Sequence, residues 1–239
     1  MTIKNNTLIQ GSGFIAKSFK RYLIKLRRLN VIVYAAGVSN SLSNNKKIFK
    51  NEINRFKRFS KLKLKKKVVY ISTCSVSDPS RKLNKYIKNK IIIENMIKKN
   101  FKEYSIIRFP EIVGRSKNKN TLINYLHQKI KNNHNFNLWN GVVRNIIDVD
   151  DAIKLTIVLL EKNKNKNNTF NIMNKRFYKP IEIVKLFEKL LDKKAKFKLI
   201  NKRFKKWNIK RSNRVKEDKK LNINFDKYYL KRKIYKYYN

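Results

Sequence analysis

Hydrophobic and polar positions along the chain alternate between two periods. Thr7 to Gln10 is a short apolar run that reads as a strand. From Phe14 to Arg28 apolar residues recur at Phe14, Ile15, Phe19, Tyr22, Leu23 and Leu26, one face of a helix. Asn30 to Ala36 (NVIVYAA) is continuously apolar and suits a buried parallel strand. Ile48 to Phe59 returns to helical spacing. Lys67 to Thr73 (KVVYIST) is β-branched and ends in small hydroxylated residues, a third strand. Leu83 to Lys99 carries a helical face at Leu83, Ile87, Ile91, Ile92 and Met96, and Tyr104 to Phe109 is a fourth strand stopped by Pro110. Strands and helices in this order predict βαβ units and a parallel sheet, with ligands gathering beyond the carboxyl ends of the strands.

After Gly114 the pattern changes. A helix is predicted over Thr121–Lys131, an Asn-rich loop over Asn132–Asn140, and an apolar helix over Ala152–Glu161. Asp148, Asp150 and Asp151 precede that helix and are expected to cap it, since carboxylates satisfy free N–H groups at a helix start. Lys162–Asn168 reads as a polar linker, Phe170–Met173 as a strand, and Pro180–Leu191 as a helix opened by proline. From Asn201 the tail is basic and aromatic with little period; Trp207, Tyr228, Tyr229 and Tyr235–Tyr238 among lysines are open both to packing and to stacking on nucleic acid.

Composition adds a formal charge of +46 on 239 residues. Lysines run through the whole chain beside abundant Asn and Ile and few Gly and Pro, the imprint of an A/T-rich coding sequence. The charge is therefore read first as compositional and only second as a nucleic-acid surface, although it would attract phosphorylated ligands in either case. The longest apolar runs are too short to span a bilayer, and the N-terminus lacks a signal-peptide segment. One cysteine, Cys74, excludes an internal disulfide and leads to the expectation of a reducing cytoplasm. Cys74 reads as a small buried residue, and His127 and His134 carry no ligand pattern, so no metal is expected.

Two constellations carry chemistry. The segment GSGFIA, residues 11–16, follows the first strand: Gly11 and Gly13 permit a tight turn and close backbone approach, and Ala16 is small enough for helix–strand packing, as in a turn that holds a dinucleotide pyrophosphate. The acidic residue expected about 20 positions later is missing, for no Asp or Glu precedes Glu52. Tyr86 and Lys90 lie four apart, on one face of a helix that follows the strand ending in Ser72-Thr73. An ammonium beside a tyrosine favours the tyrosinate, which suits proton exchange with an alcohol or carbonyl. Glu94, one turn on, is expected to pair with Lys90 or Lys98 on the helix surface.

In this order the motifs resemble the extended short-chain dehydrogenase/reductase group, the NAD-dependent epimerases and dehydratases of nucleotide sugars, over nearly the whole length. GSGFIA looks like its glycine turn with Gln10 and Ala16 in the outer positions. Tyr34-Ala35-Ala36 resembles the strand end beneath the cofactor. Thr73, Tyr86 and Lys90 match the catalytic Ser/Thr and the Tyr-x-x-x-Lys pair, and Glu94 matches an acid one turn later. Arg108-Phe109-Pro110 with Val113-Gly114 resembles the stretch near the nicotinamide, and Arg144 to Asp151 the segment whose arginine meets the substrate diphosphate. The resemblance implies a Rossmann-like α/β domain over 1–115 plus 145–173 and a small substrate lobe over 116–144 plus 174–239. It implies catalysis by Thr73, Tyr86 and Lys90, with a cofactor held by Gly11, Gly13, Phe14, Ile15, Ala35, Ala36, Phe109 and Pro110 as well as the Tyr/Lys pair. Arg144 falls on the substrate side, and Glu111, which follows the fourth strand, either faces the substrate or is an exposed charge.

The departures sharpen the expectation. A strand–helix–strand unit is missing between Arg28 and Val31, and with it the acid that holds the adenosine ribose. Arg27 and Arg28 at that edge tilt the choice between NAD and NADP slightly toward NADP. Cys74-Ser75 stands where 4,6-dehydratases carry Asp-Glu, which leaves 4-keto reduction or epimerisation, in surface polysaccharide synthesis. A homodimer is compatible with the resemblance; a membrane is not a partner. The rival readings are a non-catalytic nucleotide-binding protein on the same fold and a basic nucleic-acid-binding protein.

Overall fold

The computed structural model describes residues 8–62, 64–78, 84–163, 166–201, 209, 211–212 and 221–239. Thr7, Leu83 and Trp207, to which the sequence reading gives places, lie outside them.

Among the described residues five strands form the central sheet: β1 (Ile9–Gln10), β2 (Val31–Tyr34), β3 (Lys67–Thr73), β4 (Tyr104–Phe109) and β8 (Asn168–Asn171), side by side in the order β1-β2-β3-β4-β8 and all parallel. Both faces are covered. On one lie α1 (Phe14–Phe19), α2 (Leu23–Arg28) and α6 (Val149–Lys162); on the other α3 (Lys46–Ser60) and α4 (Lys85–Asn100). The period of two explains how one strand serves both cores: Val31 and Val33 enter the first, Ile32 and Tyr34 the second. In the second core Tyr34 meets Phe56 edge-on with ring centroids 5.1 Å apart and Phe59 at 4.8 Å, geometries that favour the ring quadrupoles.

The continuous helix expected over Phe14–Arg28 is interrupted by a 3₁₀ turn at Lys20–Tyr22. Its three residues per turn break the 3.6 period. Phe19 and Leu26 still reach the core, but Leu23 does not and is 41% exposed. The helix then enters β2 through Leu29 and Asn30, the latter in the left-handed region at φ 53°. No strand fits into so short a connection. Among the described residues β1 is accordingly the edge of the sheet, paired along one side with β2, in keeping with the expected loss of a unit.

Beyond β4 the chain forms β5 (Glu111–Val113), α5 (Leu122–Lys131), β6 (Phe136–Asn140), β7 (Arg144–Asp148), β9 (Phe177–Tyr178), α7 (Pro180–Leu191), β10 (Phe197–Asn201) and α8 (Tyr229–Tyr238). β5, β7 and β9 make one small sheet, β6 and β10 another. A third apolar cluster joins them to α5, α7 and α8 through Ile130, Phe136, Phe187 and Ile234. The loop expected over Asn132–Asn140 is thus half strand, because Phe136 and Leu138 alternate inward between exposed Asn137 and Trp139 and pair in register with β10.

The Asp cluster caps α6 as expected: the Asp148 carboxylate accepts from the backbone N–H of Asp150 at 3.0 Å and of Asp151 at 3.1 Å. It is also the anchor for the C-terminal helix. The buried Tyr229 hydroxyl donates to Asp151 at 2.8 Å and accepts from Asp148 N–H at 2.9 Å; Tyr237 donates to Asp148 at 2.6 Å, and Lys233 pairs with Asp151 at 2.7 Å. The aromatic tail from Tyr229 onward therefore packs, while Tyr228 stays 53% exposed.

Candidate active site

A cavity of about 330 Å³ opens at the carboxyl ends of β1 to β4. Each wall comes from a place where the sequence forces the backbone. The first is the turn after β1. Gly11 adopts φ +134°, and a Cβ there would lie 2.5 Å from the Ala35 carbonyl oxygen, so the turn can rest on the end of β2 only without a side chain. Gly13 is the N-cap of α1, and no side chain caps that end. Gly13, Phe14 and Ile15 face the cavity.

The second wall is the end of β2. Ala35, Gly37 and Val38 line the cavity, whereas Ala36 turns the other way onto the aromatic core. Opposite them, β3 delivers Thr73 and α4 delivers Tyr86 and Lys90. Asn84 starts α4 by accepting the Ile87 N–H at 2.8 Å, which places Tyr86 in the first turn and Lys90 one turn deeper. Thr73, whose Oγ1 accepts the Ser75 N–H at 3.2 Å, shares the cavity wall with Tyr86. Phe109, Pro110 and Glu111 close the site from the end of β4 and the start of β5, and Arg144 enters from β7 beside Asn145. Over the opening, Asn118 donates to Ser39 at 3.3 Å and bridges the loop after β2 to the segment before α5. Of the site residues expected from sequence, all but Gly11 and Ala36 border this one cavity, and Gly11 shapes its floor from behind.

Lys90 is 3% exposed and does not stand alone. Its Nζ donates to Glu52 Oε1 at 2.9 Å, and Glu52 itself is fully buried. Burial disfavours the ammonium, but the Tyr70, Glu52 and Tyr86 oxygens outweigh burial and raise its pKa, so Lys90 stays charged. At Tyr86 burial acts first and upward, Lys90 pulls down, Glu52 pushes up, the Thr73 hydroxyl pulls down and Glu111 pushes up; the pKa ends above its ordinary 10.0. The ammonium thus acts in the direction expected from the sequence, yet burial and two carboxylates exceed it. Sequence reasoning missed Glu52. The signal was present: Glu52 sits at helical spacing among Phe49, Phe56 and Phe59, a charge inside an apolar stripe.

Glu94 corrects a second expectation. Instead of lying on the helix surface with Lys90 or Lys98, it is 3% exposed and points at the sheet. It accepts from Ser72 Oγ at 2.6 Å and from Arg108 Nε at 2.9 Å, with Arg108 Nη2 on its other oxygen, while Arg108 Nη1 donates to Ser77 at 2.6 Å. A carboxylate at that depth is stable only when both oxygens are paired, and a guanidinium fork does so where a lysine would not. Arg108 therefore braces the strand ends under the site. Cys74 lies in the same layer, fully buried, donating to the Arg108 carbonyl at 3.3 Å; burial pushes its thiol well up, which removes it as a nucleophile.

The model of the NAD dependent epimerase/dehydratase family matches residues 16–172, beginning just past the glycine turn. No curated protein matches the chain in sequence. Among solved structures, the chain is similar to RMD from Pseudomonas aeruginosa complexed with NADPH, at TM-score 0.67 and 14% identity over 95% of this chain and 96% of that one. It is also similar to UDP-N-acetylglucosamine 4-epimerase from Methanobrevibacter ruminantium in complex with UDP-N-acetylmuramic acid (0.63, 15%, 85% and 73%). A third likeness is to UDP-glucose 4-epimerase from Thermus thermophilus in complex with NAD (0.57, 12%, 79% and 69%). At these identities the likeness is one of fold.

Proposed function

The chain belongs to the NAD dependent epimerase/dehydratase family, and on that premise we propose that it is an NAD(P)-dependent epimerase or 4-keto reductase of a nucleotide sugar. The observation that carries this reading is the meeting of Thr73, Tyr86 and Lys90 in one cavity beside the uncapped turn of α1.

The residues fit a nicotinamide dinucleotide unevenly. Gly13 leaves open space at its Cβ position, and no side chain caps the first N–H groups of α1, a turn suited to a pyrophosphate. Phe109 and Pro110 would flank the nicotinamide and Lys90 would hold the ribose beside it. The adenosine half is poorly served, because β1 is the sheet edge among the described residues and no Asp or Glu precedes Glu52. Arg27 and Arg28, exposed at the end of α2 just before β2 begins, lie at the amino ends of the strands, opposite the cavity, so they give no preference for NADP over NAD. When bound, the dinucleotide supplies hydride exchange at a sugar carbon.

The chain's own residues supply the proton. On the reductive course the sugar carbonyl oxygen takes the proton of the Tyr86 hydroxyl as its carbon gains hydride, and the oxidative course reverses both transfers. Thr73 orients the reacting oxygen. Arg144, with Asn118 and Lys117 on the same side of the cavity, would receive the substrate diphosphate. Residues 116–144 and 174–239 would then act as the substrate lobe over a cofactor domain of 1–115 and 145–173, and surface polysaccharide synthesis is the setting such a substrate suits. Turnover of a panel of nucleoside-diphosphate sugars and their 4-keto forms, with NAD(H) and NADP(H), tests the reading. Tyr86→Phe should abolish turnover and spare cofactor affinity; a variant as active as the parent refutes the assignment. The bare β1 edge favours a second reading, a nucleotide-binding protein without turnover, which the same panel distinguishes.

A further inference from the structure

Glu52 is hydrogen-bonded to three groups in two elements, α4 and the loop after β2. Its Oε1 accepts from Lys90 Nζ at 2.9 Å; its Oε2 accepts from Asn89 Nδ2 at 2.9 Å and from the Val38 backbone N–H at 3.0 Å. Lys90 and Val38 both border the cavity. Gly37 makes room for the pair, since a Cβ there would lie 2.3 Å from Lys90 Nζ and 2.9 Å from Glu52 Oε1. Lys90 is 4% and Glu52 0% exposed at the side chain. A buried ion pair is weak evidence for stability, because desolvation of both charges offsets their attraction. A pair whose contacts reach two walls of the cavity has another use.

We propose that Glu52 is a positioning residue of the reaction: it ties α3 to the catalytic helix α4 and to the loop after β2, and it makes the Lys90 ammonium facing Tyr86 half of a neutral pair instead of a free cation. The charged and titratable groups around Tyr86 are Lys90 on α4, Glu52 on α3, Tyr70 and the Thr73 hydroxyl on β3, and Glu111 on β5. Lys90 is the cation among them, so the carboxylate bound to it has direct leverage on the proton of Tyr86. Lys90 Nζ lies 5.5 Å from the Tyr86 ring centroid, close enough for the ammonium to favour the tyrosinate.

This inference rests on Tyr86 as the proton donor, but its test needs no turnover. Ionisation of Tyr86 is read as the difference in near-ultraviolet tyrosinate absorbance between a protein and its Tyr86→Phe partner, in the wild-type, Glu52→Gln and Glu52→Asp backgrounds. Glu52→Gln should bring the Tyr86 midpoint down by about one pH unit or more, and Glu52→Asp, which keeps the charge, should hold it near wild type. An unchanged midpoint in Glu52→Gln overturns the proposal. Should that variant not fold, Lys90→Gln and the double variant Glu52→Gln/Lys90→Gln decide. The single variant should raise the midpoint and the double one should return it toward wild type; equal rises in both overturn the proposal. Failure to turn over any nucleotide sugar would sink the proposed reaction and leave this measurement standing.

Discussion

Replacing Gly13 with Asp should leave the fold intact and destroy the anion cradle. Gly13 has φ −76° and ψ −178°, extended backbone that any residue adopts, and an added Cβ meets nothing within 4 Å. As N-cap of α1 it has no side chain to offer. An aspartate supplies an acceptor there, adds negative charge at the positive end of the helix, and restricts the unfolded chain. Together these should stabilise by about 0.5–1 kcal/mol, roughly 1–4 °C in Tm for a chain of this size. A pyrophosphate at the same turn would meet the new carboxylate at close range. At ~5 Å and an effective dielectric constant of ~20, each unit of like charge costs about 3 kcal/mol, so affinity should fall by more than about 100-fold. Thermal melting and fluorescence titration with NADPH and NADH measure the two effects separately. A variant that binds like the parent would put the pyrophosphate elsewhere; one that melts lower would refute the open geometry of the turn.

Further outcomes follow from the buried polar groups. Tyr229→Phe removes the hydroxyl shared by Asp151 and the Asp148 N–H; two buried partners lose a hydrogen bond, and urea unfolding should show a loss of about 2–4 kcal/mol. The Cys74 thiol, fully buried with its ionisation pushed up, should resist a disulfide reagent in the native protein and react at once in urea. Burial, with Lys131 adding, lowers the pKa of His127 below 6.5, so the unfolded chain takes up that proton first. The His127 contribution is whole above about pH 6.5 and is lost as pH falls from there through the folded pKa. Urea midpoints over that range should slope less in His127→Phe, and an identical slope would contradict the burial.

Much of this is legible in sequence where the signal is local. β3 and β4 coincide with their apolar runs, and α7 begins at Pro180 and ends at Leu191 as its period dictates. Thr73, Tyr86 and Lys90 can be placed together because a strand end and the next helix start are neighbours in any βαβ unit. What escapes depends on partners far along the chain. β6 is hidden in an Asn-rich stretch and becomes a strand through pairing with β10, 61 residues on. Glu52 and Lys90 are 38 residues apart, and no spacing rule joins α3 to α4. The helix neighbours of Glu94 suggest a surface pair, whereas its true partner, Arg108, lies on a strand. Conversely, the short step from α2 to β2 leaves β1 at the edge of the sheet among the described residues, in keeping with the absence of an early acid.

The most direct measurement is a crystal structure of the protein with NADPH and a nucleoside-diphosphate sugar. The account predicts the pyrophosphate on the Gly11–Phe14 turn, the nicotinamide against Phe109 and Pro110, and a sugar oxygen within hydrogen-bond reach of both Thr73 and Tyr86. A dinucleotide bound away from that turn, or a sugar that never approaches Tyr86, would contradict it.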